Sequence, residues 1–81
     1  MKVEEKQSII QAAQAYMEEK GISQNELSKL TGVNVSYLSS MMKGVFTFIN
    51  SRTGKESDID DKWFLALAGR IGTRWLRSIG H

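Results

Sequence analysis

Apolar residues in this chain fall into short stripes at helical spacing, and most stripes are closed by a glycine. Ile10, Ala13 and Met17 recur three and four positions apart, with Ile9 and Tyr16 beside them, which predicts a helix over about 3–20. Glu4 and Glu5 suit its start and Lys20 its end, the charge order a helix dipole favours. Gly21 follows, able to take the left-handed conformation that ends helices. Ser23 and Glu26 then have the spacing of a capping box, Leu27 and Thr31 can face inward, and Gly32 ends a second, short helix. Asn34 is placed to cap a third helix of about 35–43, in which Leu38 and Met41 lie one turn apart and after which Gly44 stops the chain.

The pattern changes after Gly44. Val45-Phe46-Thr47-Phe48-Ile49 has β character, and Asn50-Ser51-Arg52-Thr53-Gly54-Lys55 reads as a turn. A short hairpin and an ordered long loop over 45–57 both satisfy these residues. Asp58, with Asp61 three positions later, then predicts a helix over about 59–71, with Trp63, Phe64 or Leu65, Leu67, Ala68 and Ile71 as its apolar surface and Gly72 as its stop. The tail Thr73–Ile79 suits one more helical turn or a packed strap.

Composition narrows the class. Eighty-one residues allow one small domain over 1–81, and 41% apolar with 25% charged residues is the balance of an ordinary soluble globule. With proline absent and glycine concentrated at helix ends, a mostly helical fold is expected. Cysteine is absent, so neither disulfides nor thiolate metal sites are available, which fits a cytoplasmic protein. No apolar run approaches the roughly 20 residues of a membrane span, and no signal peptide is visible. The sole histidine is His81, so no histidine-based catalytic pair or metal cluster can form. Gly54-Lys55 is not a phosphate loop, because Ile49 stands where its first glycine belongs and Glu56 follows the lysine. Enzymatic activity, a cofactor and a small-molecule ligand are accordingly not expected.

The net charge of +2 is too small to identify a partner by itself, but its distribution is uneven. Residues 1–40 carry four Lys against five Glu, whereas residues 41–81 carry seven Lys or Arg against four acids. The basic excess begins at Lys43, where the third helix ends. Positive charge around a reading helix is what a nucleic-acid surface needs, although scattered basic residues also serve solubility.

The segment from Ile22 to Gly44 carries the strongest signal. Ser28 is small where two helices must approach, Gly32 stands where the turn needs a positive φ, and Leu38 and Met41 are apolar where the third helix packs on the second. With Ser23-Gln24-x-Glu26-Leu27-Ser28, Gly32-Val33-Asn34-x-Ser36-Tyr37-Leu38-Ser39 and Gly44, the segment resembles the helix-turn-helix of the λ-repressor/Cro-like, or XRE, family. The first helix and the helix through Trp63 to Gly72 fall where that family places flanking core helices. The resemblance implies a compact all-α, λ-repressor-like domain of four or five helices that binds double-stranded DNA, frequently as a dimer. Ser28 departs from the family's usual alanine and Met42 from a usual acidic residue. The long interval after Gly44, with the helix that follows, resembles a subgroup at the front of phage and transposon ATPases of the Mu B type. On that likeness the chain would be a DNA-targeting domain within a larger transposition protein; otherwise it would be a transcriptional regulator.

From the same resemblance, Gln24 would bond a backbone phosphate, and Val35 and Ser36 occupy base-reading positions, with Ser39 and Ser40 next in line. Helical spacing puts Val35, Ser36, Ser39, Ser40 and Lys43 opposite Leu38 and Met41, and Asn34 stands at the start of that face. Val35 can meet a thymine methyl and the serines can serve several bases. No Arg, Asn or Gln between Val35 and Met42 offers a bidentate base contact, so weak sequence preference is expected, with Lys43, Arg52 and Lys55 supplying phosphate contacts. Tyr37 and Trp63 read first as core residues, and Trp75 as either core or a docking aromatic. The rival reading is a protein-docking module, possessing the same fold but using Val45–Ile49 and Trp75 as its surface, with a second copy of the chain among its candidate partners.

Overall fold

The computed structural model describes residues 1–72, so the expectations for the 73–79 tail and Trp75 lie outside the described residues. Four helices and one hairpin follow in order: α1 (Val3–Lys20), α2 (Gln24–Thr31), α3 (Val35–Met42), β1 (Thr47–Ile49), β2 (Glu56–Asp58) and α4 (Asp61–Ile71). The architecture is all-α with a small two-stranded sheet, as the glycine-punctuated stripes predicted.

The stripes become the core. Ile9 and Ala13 of α1, Leu27 of α2, Leu38 and Met41 of α3, and Phe64 and Leu67 of α4 are buried together. Burying a side chain the size of Phe64 contributes roughly 1.5–3 kcal/mol, and these side chains come from all four helices, so the helices hold one another. α1 packs on α4 and α3, and α2 packs on α3 and α4. Gln14 adds a polar tie, its Nε2 donating to the Met42 carbonyl at 3.2 Å. That bond satisfies one of the carbonyls left open at the end of α3.

The hairpin question is resolved by pairing. β1 and β2 run antiparallel with Thr47 opposite Asp58, Phe48 opposite Ser57 and Ile49 opposite Glu56. Its base is closed by the Ile59 amide donating to the Phe46 carbonyl at 2.9 Å. Aromatic contacts fasten it to the helices: Phe46 meets Phe64 edge-on at 5.3 Å, and Phe48 lies 5.3 Å from Tyr37, which in turn lies 6.2 Å from Trp63. Tyr37 and Trp63 are therefore half-buried, Tyr37 as the link between hairpin and α3.

One boundary needs correction. The fourth helix starts at Asp61 with Asp60 as its cap, whose carboxylate accepts from the Lys62 amide at 2.9 Å. Asp58 ends β2 instead, and Ile59 is buried in the link between strand and helix. Pairing with Thr47 takes Asp58 into the ladder, so the acid two positions on inherits the capping role. Within α4, Phe64 is the core residue and Leu65 is exposed.

At the start of α4, the Met1 ammonium lies 2.9 Å from Asp61 Oδ2 and Lys6 Nζ lies 3.8 Å from Oδ1. The hydrogen bond from the ammonium, helped by the charges of both cations, holds the Asp61 carboxyl below its ordinary range.

Candidate nucleic-acid interface

The α2–α3 unit is assembled from local signals that the structure realises almost residue by residue. Ser23 Oγ accepts from the Glu26 amide at 3.3 Å, forming the hydroxyl half of the capping box. Asn34 Oδ1 accepts from the Ser36 amide at 2.8 Å and starts α3. Gly32 has φ +78°, the left-handed value predicted for the turn.

Two residues contribute more than their sequence positions suggested. Ser28, half-buried where α2 approaches the turn, donates its hydroxyl to the Val33 carbonyl. Thr31 Oγ1 donates to the Leu27 carbonyl at 2.9 Å and accepts from the Val33 amide at 3.2 Å. Val33, itself only 1% exposed, thus has both main-chain groups held by side chains of α2. Leaving such groups unpaired away from water would cost about 1–3 kcal/mol each, so these bonds fix the direction in which the chain leaves the turn. Serine in place of the family's alanine has a structural use here.

On α3 the division into faces is clear. Leu38 and Met41 are fully buried, whereas Val35 and Ser36 are exposed and Ser39 and Ser40 are partly so. Lys43, the residue after the helix, is exposed. From Val35 to Lys43 the surface carries one cation and no acid. Gln24 is half-exposed at the first position of α2, two helical turns of chain before Gly32. Asn34 lies exposed at the head of α3, with its side-chain oxygen committed to the cap.

Arg52 and Lys55 are exposed on the hairpin turn. That turn is ordered by its own bonds: the Arg52 amide donates to Asn50 Oδ1 at 2.9 Å, the Gly54 amide to the Asn50 carbonyl at 2.7 Å, and the Asn50 amide to the Lys55 carbonyl at 2.9 Å. An open cleft of about 550 Å³ runs between α3 and the hairpin, lined by Ser36, Tyr37 and Ser40 on one wall and by residues 47–51 on the other. The structure therefore brings Ser36 and Ser40 alongside the hairpin turn, a neighbourhood the sequence did not reveal. Val35 and Ser39 do not line that cleft. Among the described residues, no group of three or more His, Cys, Asp or Glu side chains is arranged to hold a metal ion, and no helix is long and apolar enough to cross a membrane.

Compared with known protein families, residues 14–47 match the helix-turn-helix model. Compared with curated proteins and with solved structures, the chain has no match.

Proposed function

Residues 14–47 are a helix-turn-helix of the λ-repressor-like, or XRE, family, a family that binds double-stranded DNA, and from that premise we propose how this chain uses it. α3 enters the major groove with Val35 and Ser39 turned to the base edges and Ser36, Ser40 and Lys43 beside them. Gln24 and the opening amides of α2 meet a backbone phosphate, and the free side-chain nitrogen of Asn34 is a further donor at the head of α3.

The observation that supports this reading most is the solvent-facing surface of α3, which is free of carboxylates and follows a turn in which the Val33 amide and carbonyl are both bonded. A rigid helix presented without repelling charge is what groove entry requires. The same surface has no side chain able to make a bidentate base contact, each of which gives roughly 1–3 kcal/mol of discrimination. Affinity therefore comes mainly from phosphates, and selectivity among sequences is low. Low selectivity suits a DNA-targeting domain of a phage or transposon protein, which works at many sites, better than a regulator confined to one operator.

Titration against several unrelated duplexes at increasing salt tests the proposal. Expected are similar affinities for all duplexes and a fall of log affinity with log salt of about 0.9 per phosphate contacted. A slope near zero, or no binding at low salt, would sink it.

A further inference from the structure

A cleft between α3 and the hairpin joins the candidate reading helix to the start of the basic turn, and its lining sets polar side chains beside Phe48 and Ile49. Ser36, Tyr37, Ser40 and Ser51 bring hydroxyls, Asn50 brings an amide, and no carboxylate lines it. Glu56 and Asp58 lie close by on β2 yet are not part of the lining. Arg52 follows Ser51 directly, and Lys55 is bonded through its carbonyl to the Asn50 amide, so both exposed cations adjoin the hairpin wall without lining it. Hydroxyl and amide donors in the lining, with two cations adjoining one wall, match a ligand rich in acceptor oxygens and negative charge.

We propose that this cleft seats one sugar–phosphate strand of duplex DNA, with α3 on the groove side of that strand and the hairpin turn on its outer side. The proposal rests on the DNA-binding reading and deepens it. It moves Ser36 and Ser40 from base reading to holding the backbone, and leaves Val35 and Ser39 as the side chains that face base edges. It also gives the hairpin an orientation. Thr47, Ile49, Glu56 and Asp58 share one face of the two-stranded ladder by register, so a hairpin lying flat on that face would press two carboxylates against phosphates. Approach by the turn alone brings Arg52 and Lys55 to the strand and keeps Glu56 and Asp58 away. Phe48, held 5.3 Å from Tyr37, fixes the separation of the two walls.

The experiment compares wild type, S36A/S40A, R52A/K55A and V35A on three duplexes of unrelated sequence, with circular dichroism confirming that each variant is folded. Each exposed hydroxyl lost from a phosphate contact should lower affinity about threefold to tenfold, equally on all three duplexes. R52A/K55A should lower affinity on all three and reduce the salt slope by about one to two. Phosphate-ethylation interference should show a group of blocked phosphates that disappears in R52A/K55A and persists in V35A. If wild type binds no duplex, the DNA-binding reading itself fails. If wild type binds but S36A/S40A reorders the three duplexes, or R52A/K55A leaves both slope and ethylation pattern unchanged, the cleft assignment alone is overturned.

Discussion

The α2–α3 unit and the β1–β2 hairpin sit side by side but are ordered by different means. In the first, caps at Ser23 and Asn34, the left-handed Gly32, the Ser28 and Thr31 bonds to Val33, and the buried Leu27, Leu38 and Met41 all specify one arrangement. In the second, β1 carries a single aromatic, Phe48, with Phe46 just ahead of it, and every residue of β2 is exposed. A two-stranded hairpin is marginal by itself in water, so this one depends on Phe46 and Phe48 reaching the helices. The helical unit is determined locally and again by the core; the hairpin is determined only by what it touches.

The largest test of that contrast is Leu38→Ala. Leu38 is fully buried, and its truncation should cost about 2–5 kcal/mol and carry helices and hairpin down in one transition, as read by denaturant unfolding with two probes. Phe48→Ala should cost less, roughly 2 kcal/mol, because the ring is only half-buried. Its effect should also be confined. Hydrogen exchange should show the Asn50 and Ile59 amides losing protection while the Leu38 amide keeps it, and equal loss at all three would erase the distinction between the regions. Thr31→Val preserves shape but removes the acceptor for the Val33 amide, and should cost about 1–2 kcal/mol. Gly32→Ala should cost about 1 kcal/mol; a Cβ there meets nothing within 4 Å, so only the left-handed backbone is at issue. A Gly32→Ala protein as stable as wild type would show that the turn relaxes out of the positive φ.

The smallest effect belongs to Asp61. Its carboxyl is held below the ordinary aspartate value of 3.8, so the contact with the Met1 ammonium stabilises the fold above that value and is lost as pH falls through the lowered one. The group is solvent-exposed, and the change should be visible as a carboxyl NMR titration rather than as a shift in unfolding midpoint. An Asp61 that titrates at 3.8 or above would mean that the ion pair is not formed in solution.

What could be read from the sequence follows the same division. Caps, stopping glycines and apolar stripes act over three or four positions, which is why α1, α2 and α3 were legible within a residue at each end. The hairpin was ambiguous because its second strand, Glu56-Ser57-Asp58, is built from residues depleted in sheets and pairs only because Thr47–Ile49 lies beside it. Three acids at 58, 60 and 61 each qualify as a helix cap, and only the pairing of Asp58 decides between them. The candidate reading face was legible from the opposite burial of Leu38 and Met41. That Ser36 and Ser40 look across at Ser51 was not, since it depends on where Phe48 docks.

The bond that closes the base of the hairpin, from Ile59 to Phe46, and the edge contact of Phe46 with Phe64 act as a hinge-pin below the turn. Everything from Asn50 to Lys55 lies beyond that pin and contributes nothing to the core. The turn is thus an interchangeable cassette: randomising residues 51–53 in a display library should yield folded proteins almost without exception. Variation in what those proteins bind can then accumulate at a rate unrelated to their melting temperature, which makes the turn the natural starting point for re-engineering this domain.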